Sequence, residues 1–129
     1  MPRARILLVE GDLFSAAALR ITLIKSGYML TSHVSTGEDA LQKVKEERPD
    51  LVLMEISLEG ELDGIQTAKE IKKDFNIPII FLTSHSDSKT LNKAMSVKPD
   101  GYIIKPLTEE ELKNSIKLAL FKQKMKGRK

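Results

Sequence analysis

The sequence predicts an α/β fold: a single, doubly wound, five-stranded parallel sheet with five helices. Short runs of Ile, Val and Leu alternate with longer segments in which apolar residues recur at helical spacing. The run Leu51-Val52-Leu53-Met54 is apolar without interruption, as expected for a strand that is covered on both faces. Parallel strands joined by right-handed helical crossovers are the economical arrangement for such an alternating chain.

Turn and capping signals predict where each element begins and ends. The predicted strands are residues 6–9, 28–34, 51–54, 78–82 and 101–104. The predicted helices run over about 13–26, from a Ser35 cap to just before Pro49, over 65–75, over 87–97, and from Thr108 to about residue 120. Gly27 is suited to end the first helix in a left-handed conformation. Ser35 with Glu38, and Thr108 with Glu111, have the spacing of a capping box.

The composition indicates one soluble globular domain. A chain of 129 residues fits a single domain, and 41% apolar with 30% charged residues is an ordinary balance. No apolar run approaches the roughly 18 residues that a membrane span needs, so no membrane association is expected. Without cysteine there is no disulfide framework and no thiolate metal site. We expect a cytoplasmic protein.

The charge is unevenly distributed. Residues 113–129 hold seven Lys or Arg and no acid, which leaves fourteen basic against eighteen acidic residues in the remainder. We expect a domain over residues 1–121 and a basic, frayed tail over 122–129. This basic stretch has a single aromatic residue, Phe121, and no motif that recognises nucleic acid. We therefore do not expect the domain alone to bind nucleic acid.

Polar residues follow four of the predicted strands. In an open parallel sheet, ligand sites form at the carboxyl ends of the strands, where the strand order reverses. Carboxylates suit a magnesium ion, and a hydroxyl with a lysine suits a phosphoryl group. The segments that converge there are Glu10-Gly11-Asp12, Glu55-Ile56-Ser57, Thr83-Ser84-His85 and Lys105-Pro106.

From about Arg5 to Leu120, the sequence resembles the receiver domain of two-component response regulators, a CheY-like, flavodoxin-like fold. The resemblance rests on several segments in the correct order and spacing, none of which would be specific alone. They are Ile6-Leu7-Leu8-Val9-Glu10, Pro49-Asp50-Leu51-Val52-Leu53-Met54, Asp63-Gly64, Pro78-Ile79-Ile80-Phe81-Leu82-Thr83 and Gly101-Tyr102-Ile103-Ile104-Lys105-Pro106.

The resemblance implies a phosphoacceptor and a metal site. The acceptor position is Glu55, where the family has an aspartate. The acidic pair that holds Mg²⁺ corresponds to Glu10 and Gly11, and the backbone carbonyl of Ser57 would complete the metal site.

The resemblance also implies a switch. Thr83 corresponds to the switch hydroxyl, Tyr102 to the aromatic that changes rotamer, and Lys105 to the lysine that binds the phosphoryl group. The bond from Lys105 to Pro106 is expected to be cis. A signalling domain of this kind is not expected to be an enzyme.

Two positions depart from the family pattern. Gly11 offers no side-chain ligand, and Asp12 would replace the missing acid only if the loop reshaped, so weak Mg²⁺ binding is expected. Glu55 carries an extra methylene, which misplaces the acceptor but brings its carboxylate within reach of hydrogen bonds from Lys105 and Thr83.

Several interpretations stay open. The first is a degenerate receiver with impaired phosphorylation, used as a protein-interaction switch and held toward an active-like state. The second is a working, Mg²⁺-dependent phosphoacceptor, with Glu10 and Asp12 as ligands, or the N-terminal regulatory part of a DNA-binding regulator. A third is that the two departures are engineered or accidental.

Expected partners are a histidine kinase or phosphotransfer protein and a downstream protein, with a homodimer as a further option. The downstream protein would bind the face formed by the fourth helix, fifth strand and fifth helix, which would include Lys93, Met95, Lys98, Tyr102 and Lys113. His85 is interpreted as an ordinary loop histidine, and His33 is given no role.

Overall fold

The computed structural model of the protein describes residues 3–126 and contains five strands and five helices in strict alternation. The strands are β1 (Arg5–Val9), β2 (Met29–Val34), β3 (Leu51–Glu55), β4 (Ile79–Thr83) and β5 (Gly101–Ile104). The helices are α1 (Leu13–Lys25), α2 (Gly37–Glu47), α3 (Gly64–Asp74), α4 (Ser88–Met95) and α5 (Glu109–Lys126). The predicted fold class is therefore confirmed.

All five strands are parallel and lie in the order β2-β1-β3-β4-β5. The strand order reverses between β1 and β3, because the chain goes from β1 to one side of the sheet and then crosses to the other. The register pairs Val9 with Met54, Glu55 with Leu82 and Thr83 with Ile104. The carboxyl ends of these strands consequently lie along one edge, where a crevice is expected.

The sheet separates two hydrophobic layers. Ile6 and Leu8 of β1 pack in the layer that contains α1 and α5, whereas Leu7 and Val9 pack in the layer that contains α2 and α3. The residues of β3 and β4 are buried along their whole length, in agreement with the apolar runs that precede Glu55 and Thr83 at the ends of these strands. Each fully buried Leu or Ile contributes about 1.5–3 kcal/mol relative to an exposed one.

The start of α2 differs from the prediction. Thr36, not Ser35, is the N-cap, and its hydroxyl accepts a hydrogen bond from the Asp39 amide at 3.1 Å. Glu38 does not complete a capping box, because its carboxylate accepts a hydrogen bond from the Glu61 amide across the β3–α3 loop. The capping box predicted at Thr108 and Glu111 is confirmed, with both reciprocal hydrogen bonds at 3.0 Å.

The last helix is longer than predicted. The helix α5 continues past Phe121 to Lys126, so residues 122–126 of the predicted tail are helical. The physical reason is that Lys, Gln and Met are good helix formers, and Lys124 and Lys126 interact favourably with the helix C-terminus. Residues 127–129 of the predicted tail lie outside the described residues. None of the helices within residues 3–126 is long and apolar enough to cross a bilayer.

We predict that Gly64→Ala destabilises the protein by about 3 kcal/mol, measured by urea unfolding, because a side chain there overlaps the backbone. A Cβ atom on Gly64 would lie 2.1 Å from the backbone oxygen of Glu55 and 2.8 Å from Cα of Ile56. The matched control is Gly11→Ala, whose Cβ meets only the Ser35 oxygen at 3.7 Å. Equal free energies of unfolding for the two variants would contradict the prediction.

Candidate functional site

A polar cavity of about 490 Å³ lies at the carboxyl ends of the strands. Its lining includes five of the residues that the sequence predicted for the site, together with the backbone of Gly11. Those five are Glu10, Asp12, Glu55, Ser57 and Lys105. Residues from the carboxyl ends of β1, β3 and β5 and from the segments that follow are therefore brought together, as the strand-end argument predicted.

The centre of this cavity is a cluster of two carboxylates and one ammonium group. Lys105 Nζ donates to Oε1 of Glu10 at 2.5 Å and to Oε1 of Glu55 at 2.6 Å. The exposed fractions of the side chains are 19% for Lys105, 3% for Glu10 and 8% for Glu55. We term these three residues the lysine–carboxylate cluster. Charges this far from solvent are tolerated because each is paired and hydrogen-bonded.

Glu10 is held by several further contacts. Its Oε1 also accepts from the Ser15 hydroxyl at 3.0 Å, and its Oε2 accepts from the Asp12 amide at 3.1 Å. The backbone oxygen of Glu10 lies 2.7 Å from Nε2 of His33 on β2. Both the side chain and the backbone of Glu10 are therefore fixed in place.

Glu55 folds back on its own loop. Its Oε2 accepts from the Ile56 amide at 2.8 Å and from the Ser57 amide at 3.2 Å, while Oε1 accepts from Lys105. The predicted contact with Lys105 is present. The predicted hydrogen bond from Thr83 is not found among residues 3–126, because the extra methylene lets the carboxylate reach the two amides that follow β3.

Thr83 and Tyr102 do not line this cavity but organise the loop after β4. The Thr83 side chain is fully buried, and its hydroxyl accepts from the His85 amide at 3.0 Å. The Tyr102 hydroxyl donates to the His85 backbone oxygen at 3.2 Å, and its ring contacts Phe81 edge-on at 6.5 Å between centroids. Burial, followed by the charges of Asp87 and Glu55, raises the pKa of Tyr102, so its hydroxyl stays a donor. The Lys105–Pro106 peptide bond is cis, as expected.

Asp12 serves as the N-cap of α1. Its Oδ1 accepts from the Phe14 amide at 2.9 Å and from the Ser15 amide at 3.3 Å, so the predicted substitute ligand is already engaged in capping. Within the part of the chain that the structure describes, no group of three or more His, Cys, Asp or Glu side chains is arranged to hold a metal ion.

The electrostatics of the cluster keep Lys105 protonated. Burial alone lowers the pKa of the Lys105 ammonium, because a desolvated charge is costly. The hydrogen bonds and charges of Glu10 and Glu55 together outweigh burial, so the pKa of Lys105 is raised above its ordinary value. The cluster therefore carries one positive and two negative charges at neutral pH when both carboxylates are ionised.

Sequence reasoning missed three features of the region. His85 Nε2 lies 3.0 Å from the Ser57 hydroxyl and so joins the loops after β3 and β4. His33, for which the sequence suggests no role, contacts the backbone oxygen of Glu10. The outer face of α1 is apolar, with Phe14 91% exposed and Leu13 and Ile21 also exposed. The signal in the sequence was that apolar residues of α1 recur on more than one face of the helix, a pattern typical of a helix that is covered on more than one side.

Comparison with known proteins identifies the family. The sequence model described as the response regulator receiver domain matches residues 6–117. The chain belongs to the response regulator receiver family. Receiver domains of this family act in two-component signalling and interact with histidine kinases or phosphotransfer proteins.

Curated relatives of this receiver are longer proteins. It is 36% identical over 110 residues to the DNA-binding response regulator MtrA of Mycobacterium tuberculosis, covering 85% of this chain and 47% of that protein. It is 31% identical over 115 residues to the transcriptional regulatory protein AfsQ1 of Streptomyces coelicolor, covering 89% of this chain and 50% of that protein. The chain spans about half the length of the curated relatives it matches.

Solved receiver structures superpose closely on this one. The signal receiver domain of a modulated diguanylate cyclase from Desulfovibrio desulfuricans has a TM-score of 0.92 and 38% identity, and the alignment covers 97% of this chain and 99% of that one. The N-terminal domain of a response regulator/sensory box/GGDEF protein from Carboxydothermus hydrogenoformans has a TM-score of 0.87 and 36% identity, with 96% and 99% covered.

Receiver domains generally bind Mg²⁺ for phosphorylation. The residues at the metal-binding positions of this receiver depart from the family pattern. Gly11 has no ligand, Asp12 caps α1, and the carboxylates of Glu10 and Glu55 are both bound to Lys105.

We predict that Lys105→Gln lowers the free energy of unfolding by about 3–5 kcal/mol at pH 7, because it leaves two buried carboxylates without a cation. The pKa of Lys105 is raised in the folded protein. Its contribution to the free energy of unfolding is fully present below the pKa of lysine in the unfolded chain, about 10.4, and is lost as the pH rises through the pKa of the folded state. The difference from wild type should therefore persist to about pH 10 and shrink above it.

Urea unfolding between pH 7 and 11 measures this difference. The control is Lys117→Gln, an exposed lysine on α5, which should stay within about 0.5 kcal/mol of wild type. Similar stability of both variants at pH 7 would show that the cluster contributes nothing.

We predict that Asp12→Ala lowers the free energy of unfolding by about 1 kcal/mol, whereas Asp12→Asn stays within a few tenths, because asparagine caps a helix as well as aspartate does. Thermal unfolding of the two variants in buffer with EDTA measures the cap alone. A loss of stability in Asp12→Asn as large as that in Asp12→Ala would show that the charge, not the cap, is the contribution of Asp12.

Proposed function

We propose that this chain is a degenerate receiver that takes phosphate inefficiently and acts in two-component signalling as a protein-interaction switch module. The observation that carries the proposal is the lysine–carboxylate cluster. It occupies the positions at which the family resemblance places the phosphoacceptor, one metal ligand and the phosphoryl-binding lysine. Because the two carboxylates and the ammonium group of the cluster bind one another, each of these groups is already engaged.

Glu55 is poorly arranged as an acceptor. A phosphoryl donor must approach one carboxylate oxygen in line, yet Oε1 is bound to Lys105 and Oε2 to the Ile56 and Ser57 amides. A misplacement of about 1 Å costs roughly 100-fold in rate. The rate of phosphorylation should therefore be low even when a donor enters the cavity.

Mg²⁺ binding is proposed to be weak for the same reason. The ion would neutralise charge on a transferring phosphoryl group if it were bound. In this receiver, Lys105 already neutralises part of the charge of Glu10 and Glu55. The protein residues therefore hold the cavity in one arrangement without a metal ion, which suits a module that is regulated by binding rather than by phosphate.

The pairing of Glu55 with Lys105 supports an active-like resting state. A phosphoryl group carries about two negative charges at neutral pH, and the Glu55 carboxylate supplies one beside the same lysine. Thr83 and Tyr102 meanwhile fix the loop between β4 and α4 through His85. We propose that this loop is held in the conformation that downstream partners recognise.

Exposed apolar side chains support partner binding at two surfaces. The downstream face proposed from the resemblance presents Leu91, Met95 and Ile104, all partly exposed. The outer face of α1, with Phe14 at its centre, lies next to Asp12 at the rim of the cavity. We propose that α1 contacts the histidine kinase or phosphotransfer partner in the cytoplasm, and that the other surface binds a downstream protein or a second copy.

A second candidate is the regulatory part of a DNA-binding regulator. It is favoured by one observation, that MtrA and AfsQ1 are described as DNA-binding and transcriptional regulators and are about twice as long as the matched region. The two candidates differ in what the receiver regulates, a protein partner or a DNA-binding regulator, and not in the chemistry of the cavity.

We predict that wild type labels with acetyl phosphate and Mg²⁺ at least about 100-fold more slowly than the Gly11→Asp, Glu55→Asp double variant. The double variant restores both expected carboxylates. A Cβ atom at position 11 has room, since its nearest neighbour would be 3.7 Å away. Phosphate incorporation is measured by intact mass and by acid-labile phosphate.

The control for this experiment is Gly11→Asp with Glu55→Gln, which restores the metal ligand and removes the acceptor. It should not label. Labelling of wild type at the rate of the restored variant would overturn the degenerate interpretation.

A further inference from the structure

A stripe of apolar side chains faces solvent on the second half of α5. Leu118, Phe121 and Met125 are between 51% and 61% exposed, and they follow one another at intervals of three and four residues. At 3.6 residues per turn, these intervals place the three side chains on one face of the helix. We term these three residues the α5 stripe. The same intervals are those of a seam along which a second helix packs.

The opposite face of α5 fixes the direction in which the stripe points. Leu112, Ile116 and Ala119 are buried in the core, on the side of the helix that lies opposite the α5 stripe. Beyond them, the Gln123 side chain donates to the backbone oxygen of Asn76 at 2.6 Å, in the segment between α3 and β4. The second half of α5 is therefore anchored to the domain, and the α5 stripe lies on its outer surface.

Five exposed lysines flank the α5 stripe in two rows. The helical spacing gives the rows as Lys113, Lys117 and Lys124 on one side, and Lys122 and Lys126 on the other. None of the five forms an ion pair within residues 3–126. The sequence from 112 to 126 contains no Asp or Glu. The outer surface of α5 is therefore an apolar seam between two rows of positive charge that are available to a partner.

We propose that the α5 stripe and its flanking lysines form a docking surface for an acidic amphipathic helix of a protein partner. Such a helix would place apolar side chains against the α5 stripe and carboxylates against the two rows of lysines. The inference goes beyond the proposed function, because this surface lies outside the cavity and docking there does not depend on whether Glu55 takes phosphate.

A second copy of the chain is a poor occupant of this surface. If two α5 helices packed along their stripes in parallel, Lys117 of one copy would face Lys122 of the other. In the antiparallel arrangement, lysine would again face lysine. Like charges that are held opposite each other are unfavourable, whereas an acidic helix replaces each of these repulsions by an attraction.

An anionic membrane is also a poor occupant. A basic helix with an apolar stripe can bind at a lipid surface, but the rest of this chain would have to approach the same surface. Residues 1–112 carry eighteen acidic against fourteen basic side chains, so anionic headgroups repel the body of the domain. A single helix of a protein partner contacts α5 without covering that acidic body.

The test measures the binding of two fluorescein-labelled synthetic peptides to the full chain by fluorescence anisotropy. Both peptides are three-heptad helical sequences with leucine at the a and d positions, and they carry either glutamate or lysine at the e and g positions. The protein should bind the glutamate peptide at least about tenfold more tightly than the lysine peptide. This difference should shrink as the NaCl concentration rises from about 0.05 M to about 0.5 M, because salt screens exposed charges.

Two variants and a control locate the site. Phe121→Ala should weaken binding of the glutamate peptide at least about tenfold, because an aromatic side chain at the centre of an interface is typically a dominant contact. Lys117→Glu combined with Lys122→Glu should reverse the preference, so that this variant binds the lysine peptide more tightly. The matched control, Lys69→Glu with Lys73→Glu, reverses two exposed lysines of α3 and should leave both affinities unchanged.

The reversal of preference keeps the proposal testable if Phe121→Ala does not fold, because both lysines are exposed and both affinities are read from one protein. Equal binding of the two peptides to wild type, or an unchanged preference in the charge-reversed variant, would overturn the proposal. Sedimentation of wild type with phosphatidylserine vesicles, or a dimer that Phe121→Ala dissociates, would also overturn it, because the stripe would then belong to a membrane or to a second copy.

These outcomes are independent of the proposed function. Failure of the glutamate peptide to bind overturns the docking surface and leaves the degenerate receiver in place. Fast labelling of wild type by acetyl phosphate overturns the degenerate receiver and leaves the docking surface in place.

Discussion

The cavity of this receiver depends on one buried interaction, the pairing of the Lys105 ammonium with the carboxylates of Glu10 and Glu55. Desolvation of three charged groups is unfavourable, and the pairing offsets it only because every carboxylate oxygen accepts at least one hydrogen bond. Removing one member leaves the others buried and uncompensated. The cluster is therefore stable as a unit, and each of its residues is constrained by the other two.

Sheet geometry explains why long side chains form this cluster. Neighbouring strands lie about 4.8 Å apart, so β1 and β5, which are separated by β3 and β4, are roughly 14 Å apart. Lys105 follows β5 and Glu10 follows β1, so both must extend over the sheet edge to meet. Glu55 lies at the end of β3, between β1 and β5, and its carboxylate also contacts Lys105. The fold thus places three chain segments near one point, and side-chain length completes the contact.

The sequence predicted the fold because the apolar runs, the capping residues and the order of the segments agree with one another. It also predicted that Glu10, Glu55 and Lys105 converge, since parallel strands share one edge for their carboxyl ends. It did not predict how Glu55 divides its hydrogen bonds, because the Ile56 and Ser57 amides compete with Thr83 and backbone geometry decides the outcome. The charge of residues 122–126 predicts a frayed tail, whereas the high helix propensity of Lys, Gln and Met continues α5 to Lys126.

The contacts around His85 connect the cavity to the surface proposed for partners. The two amides bound by Glu55 belong to the loop that also carries the Ser57 hydroxyl, and this hydroxyl lies against the His85 ring. The backbone of His85 is in turn bound by Thr83 and by Tyr102 of β5. A movement of the Glu55 carboxylate away from its own loop would therefore disturb the segment that leads into α4. Because Lys105 holds that carboxylate from the other side, the cation of the cluster and the conformation of this loop are coupled through a continuous set of short contacts.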